Sequence, residues 1–215
     1  MKHFLFGNGV QEKRIFFGKA KGIRLCMDPN YNAQKIIGSY EHEIQSVFVK
    51  QAKRSDCFFD IGAAEGYYSL LYKKYNPLGE VYLFDIDKNL RSVQEAHFAL
   101  NKIADGFHLY FKSVSDKNDE WQISPDSLHI KNNKVLIKVD VEGAESVVLR
   151  GMNHLLKEND CWLIIETHSK QLEKDCMSFL TQHGYHTKII NNAWWRFFIP
   201  ERRPLSHNRW LAAWR

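Results

Sequence analysis

Residues 57–71 run Cys57-Phe58-Phe59-Asp60-Ile61-Gly62-Ala63-Ala64-Glu65-Gly66-Tyr67-Tyr68-Ser69-Leu70-Leu71. A short apolar run ends in an acid, crosses a turn with two glycines four residues apart, and opens into a helical pattern. This is the form of a strand–loop–helix unit in an open α/β sheet, whose ligands sit beyond the carboxyl ends of the strands. The spacing is D-x-G-x-x-x-G, not the G-x-G-x-x-G of a dinucleotide loop. Gly62 lets the backbone turn sharply under a ligand, and Gly66 opens the helix where a side chain would collide with one. Asp60 is placed to orient the loop or to accept from a cationic amino group.

Outward from this unit the pattern repeats. Downstream, apolar strand runs at 81–84, 107–114, 135–139 and 161–166 alternate with helical patterns at 88–103, 144–156 (broken near Gly151) and 170–184. Gly184 closes the last helix. Residues 115–133 are polar and read as a surface excursion. The runs YHTKII (185–190) and WWRFFI (194–199) flank an Asn-Asn-Ala turn and are predicted to pair as an antiparallel hairpin. Upstream, 14–26 reads as a short hairpin, and 40–54 as a helix with Ile44, Val47 and Phe48 on one face. Alternation of this kind predicts an α/β protein with a mostly parallel sheet covered on both faces. A terminal hairpin favours a seven-stranded, Rossmann-like methyltransferase sheet over a fold with six parallel strands. Three parts of one domain are expected: an N-terminal hairpin and helix (1–54), a core (55–200) and a tail (201–215).

The chain has 215 residues, 44% hydrophobic and 26% charged. That suits one folded domain able to bury roughly 70% of its potential surface without disulfides or metal. The net charge of +5 is local: residues 186–215 hold six bases against the single acid Glu201, so the first 185 residues are neutral. Trp194, Trp195, Trp210 and Trp214 share that stretch, which marks a basic aromatic surface at one end and excludes a uniformly basic nucleic-acid-binding domain. Cys26, Cys57, Cys161 and Cys176 show no close pairing, as expected of a reduced, cytoplasmic protein. No run approaches the length of a signal-peptide core or a membrane span.

Chemistry concentrates at the strand tips. Asp85, directly after strand 81–84, can accept from both hydroxyls of a ribose; Asp87 is better placed to cap the following helix. Asp140, Glu142 and Glu145 crowd the tip of 135–139. Carboxylates favour a helix N-terminus, and Glu145 is expected to do only that or to face solvent, whereas Asp140 and Glu142 emerge in the cleft. At the fifth tip, alternation puts Glu166 and His168 on one side of the chain. There His168 could take a proton from a hydroxyl while a carboxylate holds its other ring nitrogen. The acids with His168 could instead hold Mg²⁺ or Mn²⁺, because clustered carboxylates without a cation repel one another; the preferred reading uses no metal.

Three stretches, in order, resemble the FkbM-like S-adenosylmethionine-dependent methyltransferases: GSYEHEIQSVFVKQAKRSDCFFDIGAAEGYYSLLY, LIKVDVEGAESVVLRGMNHLL and WLIIETHS. The resemblance implies S-adenosylmethionine as cofactor, with Asp60, Gly62, Ala64, Gly66 and Tyr67 around its amino-acid part and Asp85 on its ribose. It implies Asp140, Glu142, Glu166 and His168 near the transferred methyl, and O-methylation of a sugar, glycan or small metabolite. The family commonly has Asn at the position of Ala64 and often Glu at that of Asp85. Two alternatives remain at this stage: an RNA methyltransferase, supported by the Arg- and Trp-rich end, and a non-catalytic S-adenosylmethionine-binding subunit. That same end would equally suit an anionic acceptor or an oligomer interface.

Overall fold

In the computed structural model, which describes residues 9–192 and 207–215, the elements follow the expected alternation. They are β1 (Gln11–Arg14), β2 (Arg24–Met27), α1 (Pro29–Ile37), α2 (His42–Ala52), β3 (Cys57–Ile61), α3 (Tyr67–Tyr75), β4 (Glu80–Phe84), α4 (Leu90–Leu100) and β5 (Phe107–Tyr110). Then come β6 (Ser113–Val114), β7 (Gln122–Ile123), a short 3₁₀ turn (Pro125–Leu128), β8 (Lys134–Val139), α5 (Glu145–Arg150) and α6 (Asn153–Glu158). The last are β9 (Asp160–Thr167), α7 (Lys170–Gln182), β10 (His186–Ile190) and β11 (Arg209–Trp214).

Seven strands form one sheet in the order β10-β11-β9-β8-β3-β4-β5. β11 is antiparallel to both neighbours, and the pairings from β9 to β5 are parallel. Alternate residues of the central strands enter two separate cores. Phe58, Leu136, Ile164 and Trp210 share a core with residues of β2, α2 and α3. Phe59, Ile137, Leu163 and Leu211 pack against α5, α6 and α7. Burial on both faces is why these strands are near-continuous apolar runs.

The differences from the sequence reading have local causes. MDPNYNAQ holds a helix, α1, because Asp28 accepts from the Asn30 amide at its start and Pro29 occupies the first turn. The single strand expected over 107–114 divides into β5 and β6, and β6 pairs in parallel with β7 from the polar excursion. The break near Gly151 divides α5 from α6, and a Cβ there would fall 2.0 Å from the carbonyl oxygen of Ser115.

The expected antiparallel hairpin at the C-terminal end is present, and its described second strand comes from residues assigned to the 201–215 tail. The partner of β10 is residues 209–214, inserted between β10 and β9. Its run RWLAAW is buried at its four central residues, with Trp210 at 0% exposure. Counting charge over the whole stretch hides this short apolar segment, which suits a strand covered on both faces. Arg209 bonds Glu173 through Nε at 2.9 Å, and Arg215 donates to the Asn159 carbonyl at 3.0 Å. Trp210, Trp214, Arg209 and Arg215 therefore serve the sheet and its flank instead of forming a free basic surface. Trp194, Trp195, Arg202, Arg203 and the WWRFFI run lie outside the described residues. The four cysteines are free thiols, and among the described residues no helix is long and apolar enough to cross a membrane.

Candidate active site

The tips of β3, β4 and β8 bound a cleft of about 520 Å³ whose wall includes Lys35, Tyr40, Gly62, Ala64, Glu65, Asp85, Asp140 and Glu142. Its floor is knitted by backbone bonds. Gly62 and Ala63 donate to the Phe84 carbonyl at 2.9 and 3.1 Å, and the Asp140 amide donates to Ile61 at 2.9 Å. Gly62 is required there: its φ is +80°, and a Cβ would sit 1.9 Å from the carbonyl oxygen of Asp140. Gly62→Ala is expected to cost about 2–4 kcal/mol, from left-handed strain plus backbone displacement, measurable by urea unfolding.

Ala64 is also left-handed, with φ +46°. Asn tolerates that region better than Ala, so the family's usual Asn can be understood through backbone geometry as well as through a polar contact. The Ala64 amide donates to Asp85 Oδ2 at 2.9 Å, and the Asp87 amide to Asp85 Oδ1 at 3.0 Å. Each carboxylate oxygen keeps a second lone pair for a ligand. Asp87 accepts from the Asn89 amide at 2.9 Å in the turn before α4; the N-cap position itself is Asn89, so Asp87 holds the turn and does not cap the helix as expected. Asp60, Gly66 and Tyr67 do not line the cleft. Asp60 is buried behind the loop and accepts from Ser69 Oγ at 2.6 Å; burial pushes its carboxyl up to about 6. Tyr67 packs edge-on against Tyr40 at 5.3 Å. His97 was not anticipated: its Nε2 accepts from the Cys26 amide, so its Nδ1–H donates to the Glu65 carbonyl, both at 2.9 Å. It thereby ties β2 and α4 to the glycine loop.

Beside the cleft the structure brings together Asp140, Glu166 and His168, whose possible ligand atoms lie within 4.8 Å of one another. Glu142 stands apart at the exposed rim. The carboxylate holding His168 is Glu145, which corrects its assignment to the helix dipole or solvent. Glu145 is fully buried, and its Oε1 accepts from the His168 amide at 3.2 Å and lies 2.6 Å from Nδ1. An oxygen already accepting from the amide fixes Nδ1 as a donor. Nε2 is buried, has no hydrogen-bond partner among the described residues, and lies 3.9 Å from both Asp140 Oδ1 and Glu166 Oε2. The Glu145 hydrogen bond raises the His168 pKa against the opposing effect of burial.

The cation that the clustered acids need is supplied from within. Lys138, 3% exposed, donates to Asp140 Oδ2 at 2.9 Å and sits 4.8 and 5.1 Å from the ring centres of Tyr68 and Trp210. Sheet register sets Asp60 beside it on β3. Burial would raise the Asp140 carboxyl, but the Lys138 ammonium outweighs it and holds Asp140 well below the usual carboxylate range. Glu166 is driven the other way, by burial and by Asp140, and so keeps its proton and shares it with Asp140. Glu41, from the turn before α2, is buried near the same group and raised by burial. Lys138, Glu145, Glu41 and His97 were all missing from the sequence-derived site.

Residues 122–187 match the Methyltransferase FkbM domain. The fold is similar to the methyltransferase FkbM from Methylobacillus flagellatus KT (TM-score 0.60, 16% identity, covering 74% of this chain and 44% of that one). It is also similar to a precorrin-6y C5,15-methyltransferase from Geobacter metallireducens GS-15 (0.53, 14%, 80% and 89%). A third similar structure is a ribosomal protein L11 methylase from Lactobacillus delbrueckii subsp. bulgaricus (0.55, 14%, 95% and 90%). Among curated protein sequences none matches. Sheet order and strand-tip cleft are those of the methyltransferase fold, and the domain match covers residues 122–187, under a third of the chain.

Proposed function

We propose that this methyltransferase methylates a hydroxyl group on a sugar, glycan or small metabolite, with His168 as the general base. The observation that carries the reading is the Glu145–His168 pair beside the cleft, which leaves a buried, unpartnered Nε2 aimed toward Asp140. An alcohol acceptor, with a pKa far above 7, needs such a group to take its proton, whereas an amine or carboxylate acceptor needs much less help. The cleft suits S-adenosylmethionine in size: Asp85 offers acceptors to a ribose diol, while Ile61, Phe84, Val114, Val141 and Val148 give it apolar walls.

Bound S-adenosylmethionine would supply an already activated methyl, so the protein's tasks are alignment, exclusion of water and proton removal. His168 Nε2 would take up the proton of the acceptor hydroxyl. Asp140, held anionic by Lys138, stabilises the resulting imidazolium, and Glu145 holds the ring in place. Lys138 and the Glu166 proton already neutralise the acids, so turnover is expected to be unchanged by EDTA.

A mass-spectrometric screen of hydroxylated acceptors with labelled methyl donor tests the function. Methyl transfer only to amines or RNA, or to no acceptor, would overturn it. Glu145→Gln tests the base. In the wild type, activity should rise with pH as His168 loses its proton, through a pKa above the ordinary histidine value. Removing the Glu145 charge lowers that pKa, so the variant's rise should move to lower pH. An unmoved limb would take His168 out of the base role.

A further inference from the structure

Asp60, read from the sequence as orienting the loop or accepting from a ligand's amino group, is buried behind the glycine loop and bonded to Ser69. The cleft wall instead carries a pair of opposite charges near the same loop. Glu65 lies within it, between Gly62 and Gly66, and Lys35 reaches it from α1. Their side chains touch as an ion pair and are only 25% and 14% exposed. The Lys35 ammonium also lies 4.6 Å from the centre of the Tyr40 ring, another part of the wall. Burial alone would raise the Glu65 carboxyl; Lys35 reverses this and brings it below the ordinary value.

Two features separate this pair from an incidental surface bridge. First, it is partly desolvated, so its charges are screened less than those of exposed pairs. Second, the cleft's other charged groups have assignments or partners of their own. Asp85 is tied to the amides of Ala64 and Asp87, Lys112 donates to the Asp119 carbonyl, and Asp140 is bound by Lys138. A ligand end bearing an ammonium and a carboxylate on one carbon would present each charge to its opposite here.

We infer that Lys35 and Glu65 form the subsite for the α-amino and α-carboxylate groups of S-adenosylmethionine, Glu65 accepting from the ammonium and Lys35 donating to the carboxylate. This rests on the cofactor reading above. It makes α1, a helix outside the central sheet, part of the cofactor site.

The test is calorimetric binding of three ligands: S-adenosylmethionine, its decarboxylated form, and methylthioadenosine, which lacks the whole amino-acid end. Glu65→Gln should weaken the first two by about 10- to 100-fold and leave methylthioadenosine unchanged. Lys35→Met should weaken S-adenosylmethionine by a similar factor and leave the other two unchanged. Thermal melting of each variant identifies any loss of fold. Methylthioadenosine binding that falls in step with S-adenosylmethionine would show only a structural latch and overturn the subsite, as would S-adenosylmethionine binding unchanged in both variants. A wild-type protein that binds none of the three ligands would remove the cofactor reading and the subsite with it. Binding of methylthioadenosine without preference for S-adenosylmethionine would remove the subsite alone.

Discussion

His168→Ala should lower kcat by roughly 100- to 10,000-fold, the usual contribution of a positioned general base, with S-adenosylmethionine affinity nearly unchanged. The expectation follows from separation within the site. His168 stands at the tip of β9 with Glu145, Asp140 and Glu166, while the groups read as cofactor contacts, Asp85 and the glycine loop, belong to β3 and β4. Losing a contact made only in the transition state lowers kcat and kcat/KM together and leaves ground-state binding alone. The alkaline rise attributed to His168 should disappear as well. Asp140→Asn should share the fall in kcat but keep the rise, moved to lower pH by the loss of a negative charge near the ring. Calorimetric cofactor binding beside initial rates over a pH series measures all of these. A wild-type kcat in both variants would end the mechanism, and an equal loss of cofactor affinity would move His168 to the binding site.

Lys138→Met is expected to have the largest effect on stability. It removes the ammonium bonded to Asp140 and leaves Asp60, Glu41 and Glu166 packed around the same point. Removing one partner of a buried ion pair costs about 3–5 kcal/mol because the other charge is left unpaired. The pH dependence follows from the direction of the Asp140 shift. In the wild type its folded pKa lies below the unfolded value, so its contribution is present above the unfolded value of about 3.9 and is lost as pH falls through the folded one. In the variant the largest influence lowering the Asp140 pKa is lost while those of Glu166 and His168 remain, so the folded pKa rises and the stability that Asp140 contributes above about pH 4 shrinks. The stability difference between the two proteins should be greatest at neutral pH and shrink in acid. Urea unfolding at pH 8 and near pH 4 tests it, and a difference constant with pH would mean that Lys138 acts through packing alone.

The fold was legible because its signals are local. Strand runs, helix faces and the glycines at 62, 66 and 184 all lie within short windows, and the strand tips marked where Asp85 and Asp140 would line the cleft and where Glu166 and His168 would gather beside it. What escaped depends on neighbours distant in sequence. Glu145 occupies a position where any acid is favourable beside a helix start, so no signal separated a dipole contact from a bond to a histidine 23 residues later. Lys138 did carry a signal: a lysine inside VLIKV, in a strand buried on both faces, requires a partner. Read that way, it would have answered the argument for a metal, which rested on acids lacking a cation. The terminal charge excess misled because it averaged β11 with its more basic surroundings.

The place of β11 between β9 and β10 also constrains the order in which the fold can close. Residues 186–190 emerge from the ribosome before the segment that joins them to the sheet. Until residues 209–214 follow, β9 offers an open hydrogen-bonding edge and Trp210 is missing from its core. Contacts this distant in sequence slow folding and leave unpaired edges exposed to other chains. Nascent chains halted before residue 209 should therefore be the species that chaperones retain and that aggregate first.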